Sequence, residues 1–235
     1  MPQDNPQSLT SQPSQLQWCF LGEVPYRDAW ALQKQLRHQR LQQEIPDTLL
    51  LLEHPPTITL GCLRGEQSLH QSPEQLRKQG LSVIISDRGG DATLHAPGQL
   101  VGYLIVNLAQ RQQRLPHFVR HLASAIIRFL RRFDIDAHYD HVHPGVWIQQ
   151  QKIAAFGFHL KQNITMHGFA LNLHTDLALF EHITPCGIQD RGVTSLAQHI
   201  PNAPTPQQAA PILIQDLQHA LHLQTQRIPA SNIKP

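Results

Sequence analysis

The fold class is decided by residues 145–173, GVWIQQQKIAAFGFHLKQNITMHGFALNL. Three strand-like runs follow one another here, at residues 145–149, 152–159 and 164–173, with no helical pattern between them. Strands in succession are typical of α+β proteins, whereas a doubly wound sheet requires strict alternation of strands and helices. The sequence therefore predicts an α+β fold.

Further strands and helices are predicted on either side of this stretch. The apolar runs 48–53 and 57–60 are predicted strands, separated by two prolines that supply no ladder donors. Residues 81–86 and 100–108 are also apolar and strand-like. Apolar spacing and N-terminal capping signals predict four helices. The first helix covers residues 26–42, and the second begins after the cap Ser72. The third follows Pro116, and the fourth begins after the cap Thr205.

Length and patterning predict one domain. A chain of 235 residues can bury a sizeable core without help from metals or disulfides. Residues 1–16 are polar and contain neither a basic nor an apolar leader segment, so they are predicted to be a disordered tail. We expect a single catalytic domain over residues 17–223 and a second tail over residues 224–235.

Charge, apolar run length and cysteine count exclude several classes. The difference 19 − 17 gives a net charge of +2, too small to favour nucleic acid as a partner. No apolar run approaches the ~20 residues of a membrane span. The three cysteines, Cys19, Cys62 and Cys186, are odd in number and widely spaced, which is typical of a reducing compartment. We therefore expect a cytoplasmic protein that binds neither nucleic acid nor membrane.

Two segments combine residue types that can serve chemistry. Residues 88–99, RGGDATLHAPGQ, form a Gly-rich connection that suits either an ordinary hairpin or close approach of the backbone to a ligand. It lacks the phosphate-binding glycine motif. Lys152 begins an apolar run, so it is either a solvated strand end or a desolvated amine with a lowered pKa that can act as a base.

Cys186 is the candidate nucleophile. It stands between Pro185 and Gly187, on a turn that would expose a thiol, although a lone cysteine is often an inert core residue. His167, His182 and Lys152 are all candidate bases, because such partners meet in space and not in sequence.

Short histidine spacings occur at His138, His141 and His143, with Asp140 among them. Such spacings can bind a transition metal. In a chain with 16 histidines these short matches are weak evidence, and no metal is predicted.

Four stretches together resemble the octanoyltransferase family, the lipoyl(octanoyl) transferases of protein lipoylation. They are RGGDATLHAPGQLVGY (88–103), GVWIQQQKIAAFGFHL (145–160), HGFALN (167–172) and PCGIQDRGVTSL (185–196), with a weaker match over residues 53–61. Two positions depart from the family pattern. Leu94 replaces a usual aromatic and Ala96 replaces a usual glycine, and both are expected in the acyl pocket.

The resemblance implies a mixed β-sheet packed by helices, similar to the catalytic domain of biotin and lipoate protein ligases. It implies an acyltransferase without a cofactor, which moves an octanoyl group from octanoyl-acyl carrier protein to a lysine of lipoyl domains. Those domains belong to the E2 subunits of 2-oxoacid dehydrogenases and to the glycine-cleavage H protein. By the same resemblance, Cys186 forms the acyl thioester and Lys152 is its basic partner. His167, in the matched stretch 167–172, is expected to lie behind this pair and to orient it.

The substrate-binding residues implied by the resemblance lie in three segments. They are Arg88, Gly89, Gly90, Asp91, Ala92, Thr93, Leu94 and His95, then Ala155, Phe156 and Gly157, then Gly168, Phe169 and Ala170.

Three other functions remain open. An ATP-dependent lipoate or biotin ligase would adenylate a free acid and would not need the cysteine. A hydrolase using Cys186 with His167 or His182 would release free octanoate. A metal-binding module would use the histidines around Asp140. The basic face of the helix over residues 117–132 is either solvated or a docking site for an acidic carrier protein.

Overall fold

The computed structural model describes residues 15–63, 65–184 and 191–233. The strands in these residues are β1 (Gln15–Glu23), β2 (Asp47–Glu53), β3 (Thr57–Leu60), β4 (Ser82–Ile85), β5 (Thr93–His95), β6 (Gln99–Ile105), β7 (His138–Asp140), β8 (Gly145–Ile148), β9 (Gln151–Lys161), β10 (Ile164–Asn172), β11 (Gly192–Val193) and β12 (Gln224–Arg227). The α-helices are α1 (Tyr26–Leu41), α2 (Pro73–Lys78), α3 (Leu115–Arg131) and α4 (Pro206–Leu221). The predicted elements are present, with boundaries shifted by a few residues at most.

The strands form two sheets. The large sheet has the order β12-β1-β2-β6-β10-β9-β8-β7, with β11 added beside β9. Strand β1 runs parallel to β2 and β12, β11 runs parallel to β9, and the other pairs are antiparallel. The small sheet has the order β4-β3-β5. The prediction of an α+β fold with a mixed sheet packed by helices is confirmed.

Helices cover both faces of the large sheet. Helix α1 packs on β6 and β10, while α3 and α4 pack on each other and on the opposite face. The run Leu49–Leu52 of β2 is continuously apolar for this reason, because alternate leucines point into the two separate cores. The prolines after β2 then direct the chain into β3, which belongs to the small sheet.

Both predicted N-terminal caps are confirmed as capping boxes. Ser72 accepts from the Gln75 backbone N–H and Thr205 accepts from that of Gln208, and each glutamine side chain accepts from the N–H of its cap. These bonds satisfy donors that the first helical turn leaves without partners. The caps therefore fix where α2 and α4 begin.

The structure corrects both predicted tail boundaries. Strand β1 begins at Gln15, inside the predicted tail 1–16. Residues 224–227, predicted to lie in a C-terminal tail, form β12 and pair in parallel with Gln15–Trp18. Their sequence, QTQR, has no apolar alternation because this edge strand is largely solvated. Pairing with the edge of β1 orders it instead, since a sheet edge offers unpaired backbone groups.

In the described part of the chain, no helix is both long enough and apolar enough to cross a bilayer.

Candidate active site

A cavity lies where β5 and the loop before it face β9 and β10, beside the start of α1. About 460 Å³ of space not occupied by protein atoms lies in this cavity and its mouth. Its walls are formed by Tyr26, Arg88, Gly90, Asp91, Thr93, His95, Tyr103, Ala155, Phe156, Gly157, His167, Gly168, Phe169 and Ala170. We refer to it as the inner cavity.

Eleven of the fourteen predicted substrate-binding residues line the inner cavity. Gly89 lines an adjoining groove instead. Ala92 and Leu94 do not line the cavity, because both are fully buried in the apolar core behind the small sheet. Side chains alternate along β5, so Thr93 and His95 face the cavity while Leu94 faces away.

Ala96, the second departure from the family pattern, is buried and also lies outside the cavity wall. Neither departure from the family pattern therefore contributes a side chain to the wall of the inner cavity.

The inner end of the cavity is an aromatic cluster that includes two tyrosines absent from the sequence prediction. Tyr26 stacks on His95 with ring centroids 5.7 Å apart, and Tyr103 meets His167 edge-on at 5.9 Å. The Tyr26 hydroxyl pairs with Ser86 Oγ at 2.8 Å. No local pattern marks the tyrosines, because one belongs to a helix and the other to an apolar strand.

Burial keeps the inner end of the cavity uncharged at neutral pH. Desolvation lowers the pKa of His95 well below its usual value and also lowers the pKa of His167. It raises the pKa of Tyr103 well above the usual value. His95, His167 and Tyr103 therefore present neutral hydrogen-bonding groups at this end of the cavity.

His167 was predicted to support the site from behind, but it forms part of the cavity wall. It has φ = +59°, rare for a side chain in a strand. Its backbone N–H donates to Gln33 Oε1 at 2.7 Å, and its Nε2 lies 2.8 Å from Asp87 Oδ1. The bond from His167 lowers the pKa of Asp87. Bonds from two other elements thus hold the ring at an unusual backbone angle.

Buried polar contacts fix the Gly-rich loop. Arg88 donates from Nε to Thr59 Oγ1 at 2.9 Å and from Nη2 to the Thr59 carbonyl at 2.6 Å. Ser68 Oγ lies 2.8 and 2.7 Å from the two carboxylate oxygens of Asp91. Hydrogen bonds therefore fix this loop as one wall of the cavity. Arg88 attaches it to the small sheet, and Asp91 attaches it to Ser68.

Lys152 is buried, so the alternative of a solvated strand end is excluded. It begins the inward part of β9, paired with Trp147 on β8 and with Val193 on β11. Its Nζ lies 4.8 Å from the centre of the Trp147 ring and 3.5 Å from the Pro144 carbonyl oxygen. Lys152 does not line the inner cavity. It lines a larger groove and a small recess, both of which share walls with that cavity.

Cys186 lies outside the described residues, as do its neighbours from 185 to 190. The chain on either side is attached to the site. Before the segment, the Thr184 N–H donates to the Ser68 carbonyl at 2.9 Å. After it, Val193 pairs with Lys152, and the Thr194 N–H donates to the Lys152 carbonyl at 3.0 Å. The candidate base His182 lies in a short 3₁₀ helix and lines none of these cavities.

A chain of buried hydrogen bonds runs from the cavity wall toward β11. The Gln99 amide nitrogen donates to Asn172 Oδ1 at 2.9 Å, so its oxygen accepts from His95 Nδ1 at 2.8 Å. The Asn172 amide donates to the Thr194 carbonyl at 3.0 Å. This chain fixes the tautomer of His95 and ties the cavity wall to the strand beside Lys152.

The histidines near Asp140 do not gather around a common centre. Among the described residues, no three His, Cys, Asp or Glu side chains are placed to hold a metal ion. Asp140 is occupied by the backbone N–H groups of Val142 and His143 and by Arg191.

Comparisons of the fold identify a group of related solved structures. A crystal structure of lipoate-protein ligase A bound with ATP superposes with a TM-score of 0.73 at 17% identity, over 94% of this chain and 92% of that one. A bipartite lipoate protein ligase from Thermoplasma acidophilum gives a TM-score of 0.71 at 16% identity, over 94% and 90%. Biotin protein ligase from Aquifex aeolicus gives 0.50 at 13% identity, over 90% and 70%. At these identities the likeness establishes the fold.

Sequence comparison establishes the family. Residues 25–218 match the model of the lipoyl protein ligase A/B catalytic domain. An octanoyltransferase from Caldicellulosiruptor bescii is 46% identical over 184 residues, covering 77% of this chain and 81% of the relative. One from Chloroflexus aggregans is 45% identical over 200 residues, covering 84% and 90%. This chain therefore belongs to the octanoyltransferases, a family of acyltransferase enzymes with the lipoyl protein ligase A/B catalytic fold.

Proposed function

We propose that this enzyme transfers an octanoyl group from octanoyl-acyl carrier protein to a lysine of lipoyl domains, through a thioester on Cys186. One observation carries the proposal: the inner cavity shares walls with a groove that contains a buried lysine. A thioester donor has an apolar acyl half and a polar carrier half. The cavity suits the first, and the groove leaves room for the second.

In the first step, Cys186 Sγ attacks the thioester carbonyl and Lys152 accepts the thiol proton. The carbon–sulfur bond to the carrier breaks, and the carrier thiol leaves with a proton returned from Lys152. A thiolate is the reactive form of cysteine, so an adjacent amine that shuttles this proton accelerates the step. The exchange of one thioester for another is close to balanced in energy.

In the second step, the amine of the acceptor lysine attacks the acyl-enzyme carbonyl. Lys152 takes a proton from this amine, the bond to Cys186 breaks, and the sulfur regains its proton. The products are an octanoylated lysine and the free enzyme. Forming an amide from a thioester is downhill, so this step gives the cycle its direction.

The position of Cys186 along the chain supports this assignment. The last described residue before it is Thr184, two residues earlier in the sequence. Thr184 is bonded to Ser68, and Ser68 is bonded to Asp91 in the cavity wall. The chain returns at β11, directly beside Lys152. Both ends of the segment therefore meet the walls that the acyl group would contact.

The inner cavity suits a slender apolar chain. Gly157 and Gly168 pair across β9 and β10 and leave bare backbone in the cavity wall. At ~0.8 kcal/mol per buried methylene, seven carbons would contribute on the order of 5 kcal/mol to binding. This burial would hold the acyl group while two different partner proteins come and go.

The acceptors proposed are the lipoyl domains of 2-oxoacid dehydrogenase E2 subunits and of the glycine-cleavage H protein, in the cytoplasm. The solved archaeal relative was studied together with its E2 lipoyl domain, which supports an acceptor of this class.

Intact mass spectrometry after incubation with octanoyl-acyl carrier protein tests the proposal. The wild-type enzyme should gain one octanoyl group and lose it when a lipoyl domain is added. Cys186→Ala should form no adduct, whereas Cys62→Ser, which changes an exposed free cysteine, should acylate normally. Normal acylation of Cys186→Ala would refute the thioester mechanism.

Two further outcomes would identify a different enzyme. Transfer that requires ATP and free octanoate would make this chain a ligase. Release of free octanoate in the presence of a lipoyl domain would make it a hydrolase.

The role of Lys152 is tested separately. Lys152→Ala should slow acylation and raise the pH at which iodoacetamide modifies Cys186. An unchanged pH profile would show that Lys152 is not the base for Cys186.

A further inference from the structure

The turn between β7 and β8 encloses Lys152. Asp140 and Gly145 are paired at the two ends of this turn, and Trp147 pairs with Lys152 in the next strand. A Cβ on Gly145 would lie 2.9 Å from Lys152 Cε, so the glycine allows the lysine side chain to pass directly over it. The turn that carries the short histidine spacings is therefore a support for Lys152.

Asp140 organises this turn. Its Oδ1 accepts from the backbone N–H of Val142 at 2.7 Å and from that of His143 at 3.0 Å. The His143 carbonyl in turn accepts from Trp147 Nε1 at 3.0 Å. One carboxylate thus fixes the backbone that holds the indole ring, and two successive hydrogen bonds through His143 connect Asp140 to the side chain that contacts Lys152.

Arg191 contacts both Asp140 and the Trp147 ring. Its Nη1 donates to Asp140 Oδ2 at 2.6 Å, and its guanidinium carbon lies 5.0 Å from the centre of the Trp147 ring. Lys152 Nζ lies 4.8 Å from the same ring centre. The Lys152 amine and the Arg191 guanidinium therefore lie against the same indole, and the carboxylate of Asp140 balances the charge of the arginine. Asp91 and His143 also line the groove that contains Lys152.

The ion pair between Asp140 and Arg191 also lies at the start of β11. Arg191 is the residue before β11, whose Val193 pairs with Lys152 on β9. The ion pair with Asp140 anchors Arg191 at this point. Arg191 is five residues after Cys186 in the sequence.

We infer that Asp140 and Arg191 are positioning residues, which act through Trp147 to hold Lys152 at the distance and orientation that proton transfer to Cys186 requires. This inference rests on the proposed function. A misplacement of about 1 Å in a reacting group can cost a factor of about 100 in rate. Neither Asp140 nor Arg191 lines the inner cavity or the groove, so we expect loss of the pair to change the rate through Lys152.

The test measures the pH profile of iodoacetamide modification of Cys186 together with single-turnover acylation, both in a Cys62→Ser background. Burial raises the pKa of the Cys19 thiol to about 11, so Cys19 stays unreactive near neutral pH. Asp140→Asn keeps the acceptor for the backbone N–H groups and removes the charge. Removing a negative charge by itself would lower the midpoint of the profile, because a nearby anion disfavours a thiolate.

Displacement of Lys152 shifts the same midpoint in the opposite direction. We therefore expect Asp140→Asn to raise the midpoint and to slow acylation by about 10- to 100-fold. Arg191→Met should slow acylation similarly, and Arg191→Lys should restore most of the rate. Lys78→Met is the control, since it breaks the Glu74–Lys78 ion pair on α2 at a residue that lines neither the inner cavity nor the groove, and it should leave both measurements unchanged.

A double-mutant cycle separates this inference from the proposed function. In a Lys152→Met background, Asp140→Asn should slow acylation less than 3-fold, because the group that it positions is gone. A lowered midpoint, or an equal effect in both backgrounds, would overturn the positioning role. Failure of the wild-type enzyme to acylate Cys186 would instead refute the proposed function.

Discussion

Acidification below pH 6.5 should destabilise the fold through His54. This side chain is fully buried, its Nδ1 contacts the Val24 carbonyl, and its Nε2 lies 2.7 Å from the Tyr103 hydroxyl. Because Nδ1 faces a carbonyl, it carries the proton, and Nε2 accepts from Tyr103. Desolvation lowers the pKa of His54 from 6.5 to about 4, against a smaller opposite effect of the Val24 hydrogen bond.

The sign and magnitude follow from proton binding in the two states. Between pH 6.5 and 4 the unfolded chain binds a proton at His54 and the folded chain does not, so stability falls as the pH falls through this window. With pKa values of 6.5 and about 4, this one residue removes about 2 kcal/mol of unfolding free energy between pH 7 and pH 5. The complete loss, below pH 4, is about 3 kcal/mol.

Urea unfolding at pH 7 and pH 5 measures this loss in the wild type and in His54→Gln. Glutamine can donate to the Val24 carbonyl and accept from Tyr103, but it does not titrate. Its unfolding free energy should therefore fall by about 2 kcal/mol less than that of the wild type between the two pH values. The other buried histidines, His95 and His167, are present in both proteins, so the difference between the two losses reports His54 together with its charge interaction with His95. Equal losses in the two proteins would refute the assignment.

Two further substitutions test the framework of the site. Gly168→Ala would place a Cβ 2.1 Å from the Gly102 carbonyl oxygen, so β10 and β6 must separate; we expect a stability loss of about 2 kcal/mol or more, and slower single-turnover acylation. Asp47→Asn leaves Arg40 and Arg111 buried without their counter-charge. It should cost about 3–5 kcal/mol in urea unfolding while the acylation rate of the folded enzyme stays unchanged.

Features that depend only on residues close together in the sequence could be predicted from it. The caps Ser72 and Thr205 are local, since a hydroxyl and a glutamine three residues later form both hydrogen bonds. The buried strands could be recognised because they must be apolar on both faces. Strand β12 could not, because its four polar residues become a strand only through the free edge of β1.

Some residues of the cavity wall could be identified only from the structure. The Gly-rich loop and the glycines of β9 and β10 carry signals that are visible in the sequence, but Tyr26 and Tyr103 reach the wall through the tertiary fold. The side of β5 that faces the cavity was also beyond local reasoning. A three-residue strand with Thr93, Leu94 and His95 presents either the outer pair or the central residue, and only the packing of the small sheet selects between them.

The turn near Asp140 shows how one spacing supports two different predictions. Histidines at this spacing can bind a metal when their neighbouring carboxylate is available. Here the carboxylate already accepts from two backbone N–H groups and from Arg191. A metal would have to displace a charged partner held at 2.6 Å and break the bonds that order the turn. Because those same bonds hold Trp147 beside Lys152, occupation of Asp140 by a metal would release the lysine that the proposed chemistry needs.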